Sequence, residues 1–317
     1  MGKIVAGMAT SHAFTFVEPN GWDEFRARNR ESLLRRTGMA PPPNPRIEME
    51  TLAENERRYA RVREAHEALR SQLADEKPDV LIVIGDDQNE NFTSMLPQIA
   101  VFVGTPGKSL RLGGHFAKGT RQYAIHNELA QTLCARGVQE GFDIAAITEF
   151  NPEELKSHAH VQILEAFASS EGIPVVLIFV NAIHVPAIEP GRCFALGQMI
   201  ARAIAGRPAL ERVAICASGG LSHFTAGYPW KAYTGAYTYG DISEDFDRHA
   251  IRLMLAGEGE QLSKLSSADL MSHGDIEMRA WITLLGAMGA IPPRLMVYEP
   301  FYRAVTGMAV ASWSGAI

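Results

Sequence analysis

The feature that most restricts the fold is a series of short, unbroken apolar runs: Ile4–Met8, Val80–Ile84, Ile99–Val103, Ile144–Ile147, Val175–Val180, Val213–Cys216, Leu295–Tyr298 and Met308–Ala311. None alternates with polar residues. Successive side chains of a strand point to opposite faces of its sheet, so a strand apolar at every position must be covered on both sides. Amphipathic segments between the runs supply that cover, at Glu50–Asp75, Thr120–Arg136, Val161–Ser169, Phe194–Ala205, Ser243–Leu255 and Ile276–Met288. The alternation predicts an α/β protein with a central, mostly parallel or mixed sheet flanked by helices on both faces. With no internal repeat and no break in the strand–helix order, residues 1–317 are expected to form one domain. Pro41-Pro42-Pro43-Asn44-Pro45 cannot be helical and is expected to link the region after His12 to the long helix.

Composition removes several classes of function. A formal net charge of −6 argues against nucleic acid as a partner, because phosphate binding needs a clustered basic face. No apolar run reaches membrane-spanning length and the first residues do not read as a signal peptide, so no membrane association is expected. Cys134, Cys193 and Cys216 lie far apart without a Cys-x-x-Cys pair. That indicates neither a disulfide framework nor a thiolate zinc site and suits a reduced, cytoplasmic protein.

The polar residues that matter stand where apolar runs end. After Val213–Cys216 comes Ala217-Ser218-Gly219-Gly220-Leu221-Ser222-His223-Phe224, whose glycines let the chain turn tightly at a sheet edge, where open α/β folds place ligands. His223 is there the side chain best suited to move a proton near neutral pH. Other runs end in Thr10-Ser11-His12, in Gly85-Asp86-Asp87-Gln88-Asn89-Glu90-Asn91-Phe92 and in Asn181-Ala182-Ile183-His184. Glu277 stands at a helix entrance, and Leu155-Lys156-Ser157-His158-Ala159-His160 carries two more histidines. His184 either lines a cavity or satisfies a backbone carbonyl. His115 reads as part of a turn, His66, His126 and His249 as solvated helix residues, and Arg279 as an ion-pair partner. The aromatic, Gly-containing stretch Tyr228–Gly240 suits packing, an interface or a lid that stacks on an aromatic ring. Ser222 and Tyr228 are accordingly candidate substrate contacts.

Taken in order, Thr10-Ser11-His12, Phe179-Val180-Asn181 followed by Gly191-Arg192-Cys193-Phe194-Ala195-Leu196-Gly197, Ser218-Gly219-Gly220-Leu221-Ser222-His223, and Glu277 before Arg279-x-Trp281 resemble the class III extradiol ring-cleavage dioxygenases. The resemblance runs from about Lys3 to Trp313. It implies a catechol-, gallate- or similarly chelating heteroaromatic substrate, O2 as co-substrate, and Fe(II) held by two histidines and a carboxylate with one face open. It places His12 and Glu277 among the metal ligands, His223 as the catalytic base, and His158 or His160 against the substrate hydroxyl. Assembly as a homodimer or higher homo-oligomer is expected, with a small accessory subunit an open possibility. The sequence departs from the pattern at the second histidine ligand. The register Asp87-Gln88, with Phe92 four residues on, puts Gln88 there as a weaker, uncharged donor unless Asp86, Asp87 or Glu90 compensates. That departure keeps two alternatives open: a zinc-type hydrolase on His12, Glu277 and the Asp86/Asp87 pair, and a metal-free binding protein.

Overall fold

The computed structural model describes residues 1–38, 44–119, 121–168, 172–207, 211–225, 237 and 239–315. Tyr228 and most of the aromatic stretch around it lie outside the described residues. In chain order the elements are β1 (Lys3–Thr10), α1 (Trp22–Thr37), α2 (Pro45–Met49), α3 (Leu52–Glu76), β2 (Val80–Gly85), β3 (Ile99–Phe102), β4 (Leu110–Arg111), β5 (Gln122–Tyr123), α4 (Asn127–Gln139), β6 (Ile144–Ile147), α5 (His158–Ile163), β7 (Val175–Val180), α6 (Pro190–Ala205), β8 (Arg212–Ser218), α7 (Glu244–Leu255), α8 (Ser267–His273), α9 (Met278–Met288), β9 (Leu295–Phe301) and β10 (Thr306–Ser314).

Eight strands form one sheet in the order β6-β3-β7-β2-β8-β1-β10-β9. The inner four, β7, β2, β8 and β1, are parallel. β3 adds antiparallel to β7 and β10 antiparallel to β1, so the sheet is mixed. Six of the eight apolar runs are buried throughout, as their composition requires, whereas Ile144–Ile147 and Leu295–Tyr298, on the edge strands β6 and β9, stay partly exposed. Along β2, Val80, Ile82 and Ile84 pack into one core while Leu81 and Val83 pack into the other, and β7 and β8 divide in the same way. One core lies under α4, α6, α7 and α9; the other lies under α3 and α5. α6 and α9 meet almost backbone to backbone: a Cβ on Gly197 would lie 1.9 Å from the Thr283 carbonyl oxygen, and one on Gly286 2.1 Å from that of Phe194.

The structure departs from the sequence reading in five places. The region between His12 and the proline-rich stretch contains α1, which is dense in charge and, of its residues with a described burial, fully buries only Trp22, so it carries little apolar periodicity. The helix expected from Thr120 begins at Asn127, because Gln122–Tyr123 pairs with Leu110–Arg111 and Ile125 bridges Val175. His158 and His160 lie in the first turn of α5, which begins three residues ahead of the expected Val161. His66 is buried against the sheet, its Nε2 2.9 Å from Thr10 Oγ1 and its ring stacked on Phe16. Arg279 is buried too, and its guanidinium donates to the Ile188 and Ile276 carbonyls and to Ser267 Oγ. No helix among the described residues is long and apolar enough to cross a membrane.

Candidate active site

β1, β8 and β2 are neighbours and parallel, so their C-terminal ends open at one edge of the sheet. His12 follows β1 by two residues, Asp86 follows β2 directly, and the Gly219–His223 turn leaves β8. Glu277, the N-cap residue of α9, reaches the same edge from the other side of the chain. Gly219 makes this approach possible: a Cβ there would sit 2.8 Å from the Glu277 carbonyl oxygen, and the glycine's own carbonyl accepts a hydrogen bond from Trp281 Nε1 at 2.9 Å.

The Glu277 carboxylate is the hub. Oε2 accepts from the Gly220 backbone N–H at 2.7 Å and lies 3.5 Å from His12 Nε2; Oε1 accepts from Gln88 Nε2 at 2.7 Å and lies 3.3 Å from His223 Nε2. Donor atoms of His12, Asp86 and Glu277 all lie within 4.8 Å of one another. Asp86 is 3% exposed, and neither of its carboxylate oxygens has a hydrogen-bond partner among the described residues. Buried polar atoms are nearly always satisfied, so an orphaned buried carboxylate between a histidine and a second carboxylate fits a divalent cation. Burial, then the Glu277 charge, pushes the Asp86 carboxyl well above its usual range. Burial alone would raise Glu277 as well, but His12 and His223 hold it well below that range.

The histidines sort by their second nitrogen. His12 Nδ1 is 3.2 Å from Ser218 Oγ, which leaves Nε2 toward Glu277. His223 Nδ1 is 2.7 Å from the Leu221 carbonyl, an acceptor only, so Nδ1 carries a hydrogen and Nε2 faces Glu277; burial would lower its pKa, but the Glu277 charge and hydrogen bond outweigh it and raise it to about 9. Glu90 accepts from both Nδ1 and the backbone N–H of His158, at 2.8 and 3.0 Å. Burial would lower the His158 pKa, but the Glu90 charge and hydrogen bond outweigh it and raise it to about 9, so the ring is a cation at neutral pH.

A cavity of about 380 Å³ opens over these groups and is lined by His12, Gln88, Glu90, His158, His223 and Glu277 at its inner end. Phe14, Phe25 and Phe116 line its walls, and Phe116 stacks on His158 at 5.0 Å. Three of the four described non-glycine residues in the left-handed region, Ala13 (φ 55°), Asn89 (φ 66°) and Val305 (φ 50°), directly adjoin the cavity residues His12, Gln88 and Thr306. Backbone strain of this kind concentrates where side chains must be held at a fixed angle.

The structure therefore brings His12, Gln88, His158, His223 and Glu277 together and leaves other candidates out. His160 points away: its Nδ1 meets Ser157 Oγ and its Nε2 the Ile178 carbonyl, because residues two apart on a helix face nearly opposite directions. Ser222 is fully buried and does not touch the cavity; its backbone N–H and hydroxyl both donate to Asp247, which anchors the turn that carries His223. His184 is outside the cavity, its backbone tied to the Asn181 side chain. Gln88 reaches the site through its NH2 group, as a donor to Glu277. Asp87 caps its own loop, accepting from the backbone N–H groups of Glu90, Asn91 and Phe92. His115, read as part of a turn, lines the cavity mouth.

Comparison with known proteins bears on the family and the fold. The chain is 24% identical over 285 residues to a 2,3-dihydroxyphenylpropionate/2,3-dihydroxicinnamic acid 1,2-dioxygenase of Paraburkholderia xenovorans, covering 78% of this chain and 86% of the relative. It is 24% identical over 210 residues to a gallate dioxygenase of Pseudomonas putida, covering 65% of this chain and 55% of that enzyme. A crystal structure of an uncharacterized Escherichia coli K12 protein shares the fold, with a TM-score of 0.50 at 12% identity over 97% of this chain and 99% of that one. Residues 43–309 match the family model of the catalytic LigB subunit of aromatic ring-opening dioxygenases, and the chain belongs to that family.

Proposed function

We propose that this chain is an iron(II)-dependent extradiol dioxygenase that opens a catechol- or gallate-like ring, with His12, Asp86 and Glu277 as the metal ligands and His223 as the base. The observation that carries this reading is the convergence of His12, His158, His223 and Glu277 on the lining of one cavity, with the buried Asp86 carboxylate within 4.8 Å of the His12 and Glu277 donors, in a chain of this family. Ferrous iron, when bound, supplies the redox chemistry between O2 and the diol.

The chain's own residues do the rest. Gly220 N–H and Gln88 hold the Glu277 carboxylate from two sides, which fixes its orientation toward His12 and Asp86. The Glu277 charge is what raises His223 to about 9, so a cation bound by Glu277 would release that hold, and His223, with Nδ1 pinned on Leu221, would then receive a hydroxyl proton of the diol at Nε2. His158, held cationic by Glu90, donates a hydrogen bond to a ring oxygen as negative charge builds there. Phe14, Phe25 and Phe116 enclose the ring and keep water from it. Gln88, placed at a ligand position by resemblance, acts on this reading as the outer partner of Glu277, and Asp86 is the third donor.

The test is oxygen uptake by anaerobically purified, Fe(II)-reconstituted protein with catechol, protocatechuate, gallate, 3-O-methylgallate and 2,3-dihydroxyphenylpropionate. Uptake that requires Fe(II) and a vicinal diol is expected. No uptake with any diol, together with ester or amide hydrolysis supported by zinc, would replace this reading with the hydrolase.

A further inference from the structure

The outer end of the cavity is built by α1, which presents Arg28, Asn29 and Ser32 to it. These positions, at i, i+1 and i+4, place a cation, an amide and a hydroxyl on adjoining parts of one helix face. Of the described residues lining the cavity, Arg28 is the one arginine or lysine, whereas the inner end holds the carboxylates of Glu90 and Glu277 with Asp86 behind them. Arg28 is paired with Glu24 at 3.2 Å, but the two side chains are 67% and 75% exposed. An ion pair that exposed is worth little and yields readily to a better-placed anion.

We propose that α1 is the specificity element of this site and that Arg28 recognises an acidic substituent on the substrate ring; the proposal rests on the diol being the group bound at the inner end. At the inner end the diol oxygens take up the metal site and His158, leaving Glu90 and Glu277 to repel a further anion, and a carboxylate at the mouth meets a guanidinium whose planar fork matches it. The apolar ring then spans the segment lined by Phe14, Phe25 and Phe116. The substrate class is a vicinal diol whose carboxylate stands across the ring or on a short side chain, rather than an unsubstituted catechol.

The experiment compares acids with their uncharged methyl esters, which keep ring, diol and length. Protocatechuate, 2,3-dihydroxyphenylpropionate and both esters are titrated calorimetrically, without O2, into Fe(II)-reconstituted wild type, Arg28→Gln and Arg28→Lys, and KM and kcat are measured for the same ligands by oxygen uptake. At least one acid is expected to bind wild type about tenfold or more tighter than its ester. Arg28→Gln should remove that preference by raising KM and Kd for the acid, with kcat and the ester's constants unchanged, and Arg28→Lys should keep part of it. Equal affinity of wild type for acids and esters, or an Arg28→Gln variant that weakens both alike, overturns the proposal. An acid preference that depends on Arg28, in a protein that consumes no O2 with any ligand, would retain the subsite and overturn the dioxygenase reading.

Discussion

Asp86→Asn separates a metal ligand from a structural carboxylate because it should move two measurements in opposite directions. Without metal, Asp86 is buried beside Glu277 and Glu90 with no hydrogen-bond partner among the described residues, and its carboxyl is pushed well above the usual range. The sign follows from linkage: a carboxyl that keeps its proton in the folded state and loses it in the unfolded state costs stability progressively as pH rises above its unfolded pKa. At pH 8 an amide of the same shape removes that cost and offers Glu277 a donor, a gain of about 1–3 kcal/mol. For a chain of this size that is a rise in Tm of a few degrees, read by thermal melts in EDTA. Metal affinity should fall. Losing an anionic ligand should cost at least about 100-fold in Fe(II) binding, measured anaerobically against a chromogenic chelator, whereas Gln88→Leu, which removes an outer partner, should cost about 10–100-fold. If Asp86→Asn binds Fe(II) as tightly as wild type and melts lower in EDTA, Asp86 is a structural residue and the ligand assignment is wrong.

Three further outcomes follow from the geometry. His223→Ala should retain wild-type iron content and lose about 10²–10⁴ in turnover, the contribution of a positioned base; iron loss as large as in Glu277→Ala would make His223 a ligand. His66, buried and pushed down to about 4 chiefly by that burial, refuses a proton that the unfolded chain accepts below about 6.5, so stability should fall as pH drops through that window. Its share at pH 5 is about 2 kcal/mol, and urea unfolding of His66→Gln at pH 7.5 and 5 should show a drop smaller by that amount; an identical drop contradicts the assignment. Gly197→Ala should cost about 3 kcal/mol or more by chemical denaturation, because its Cβ would sit 1.9 Å from a carbonyl oxygen of α9, and a silent substitution would refute the close α6–α9 contact.

The sheet was legible in the sequence because its strands are short, apolar at successive positions and separated by amphipathic helices, although the pattern does not mark β6 and β9 as partly exposed edges. Most of the inner site was legible too, since His12, Asp86 and His223 follow strands that turned out to be adjacent and parallel. What escaped was whatever depends on packing between distant segments. α1 hides its role because a helix that roofs a cavity buries only a short stretch of apolar surface and otherwise faces water. Ser222 and His160 carry the chemistry of site residues, and only the carboxylate of Asp247 and the axis of α5 show that they face elsewhere. For Gln88 the register gives position and not direction: only the structure shows its amide NH2 donating to Glu277 Oε1. The pairing of Glu90 with His158 joins residues 68 positions apart, and no local pattern announces it.

The most direct test of the central claim is the ratio of O2 consumed to diol consumed, measured with an oxygen electrode and chromatography on Fe(II)-reconstituted protein, with hydrogen peroxide followed in the same reaction. Extradiol cleavage by this site predicts about one O2 per diol, no peroxide, and a new visible absorbance from the ring-opened product, all lost in Glu277→Ala. Peroxide released in step with O2 uptake, with a quinone as the organic product, would show that the site only oxidises the diol and would contradict the account.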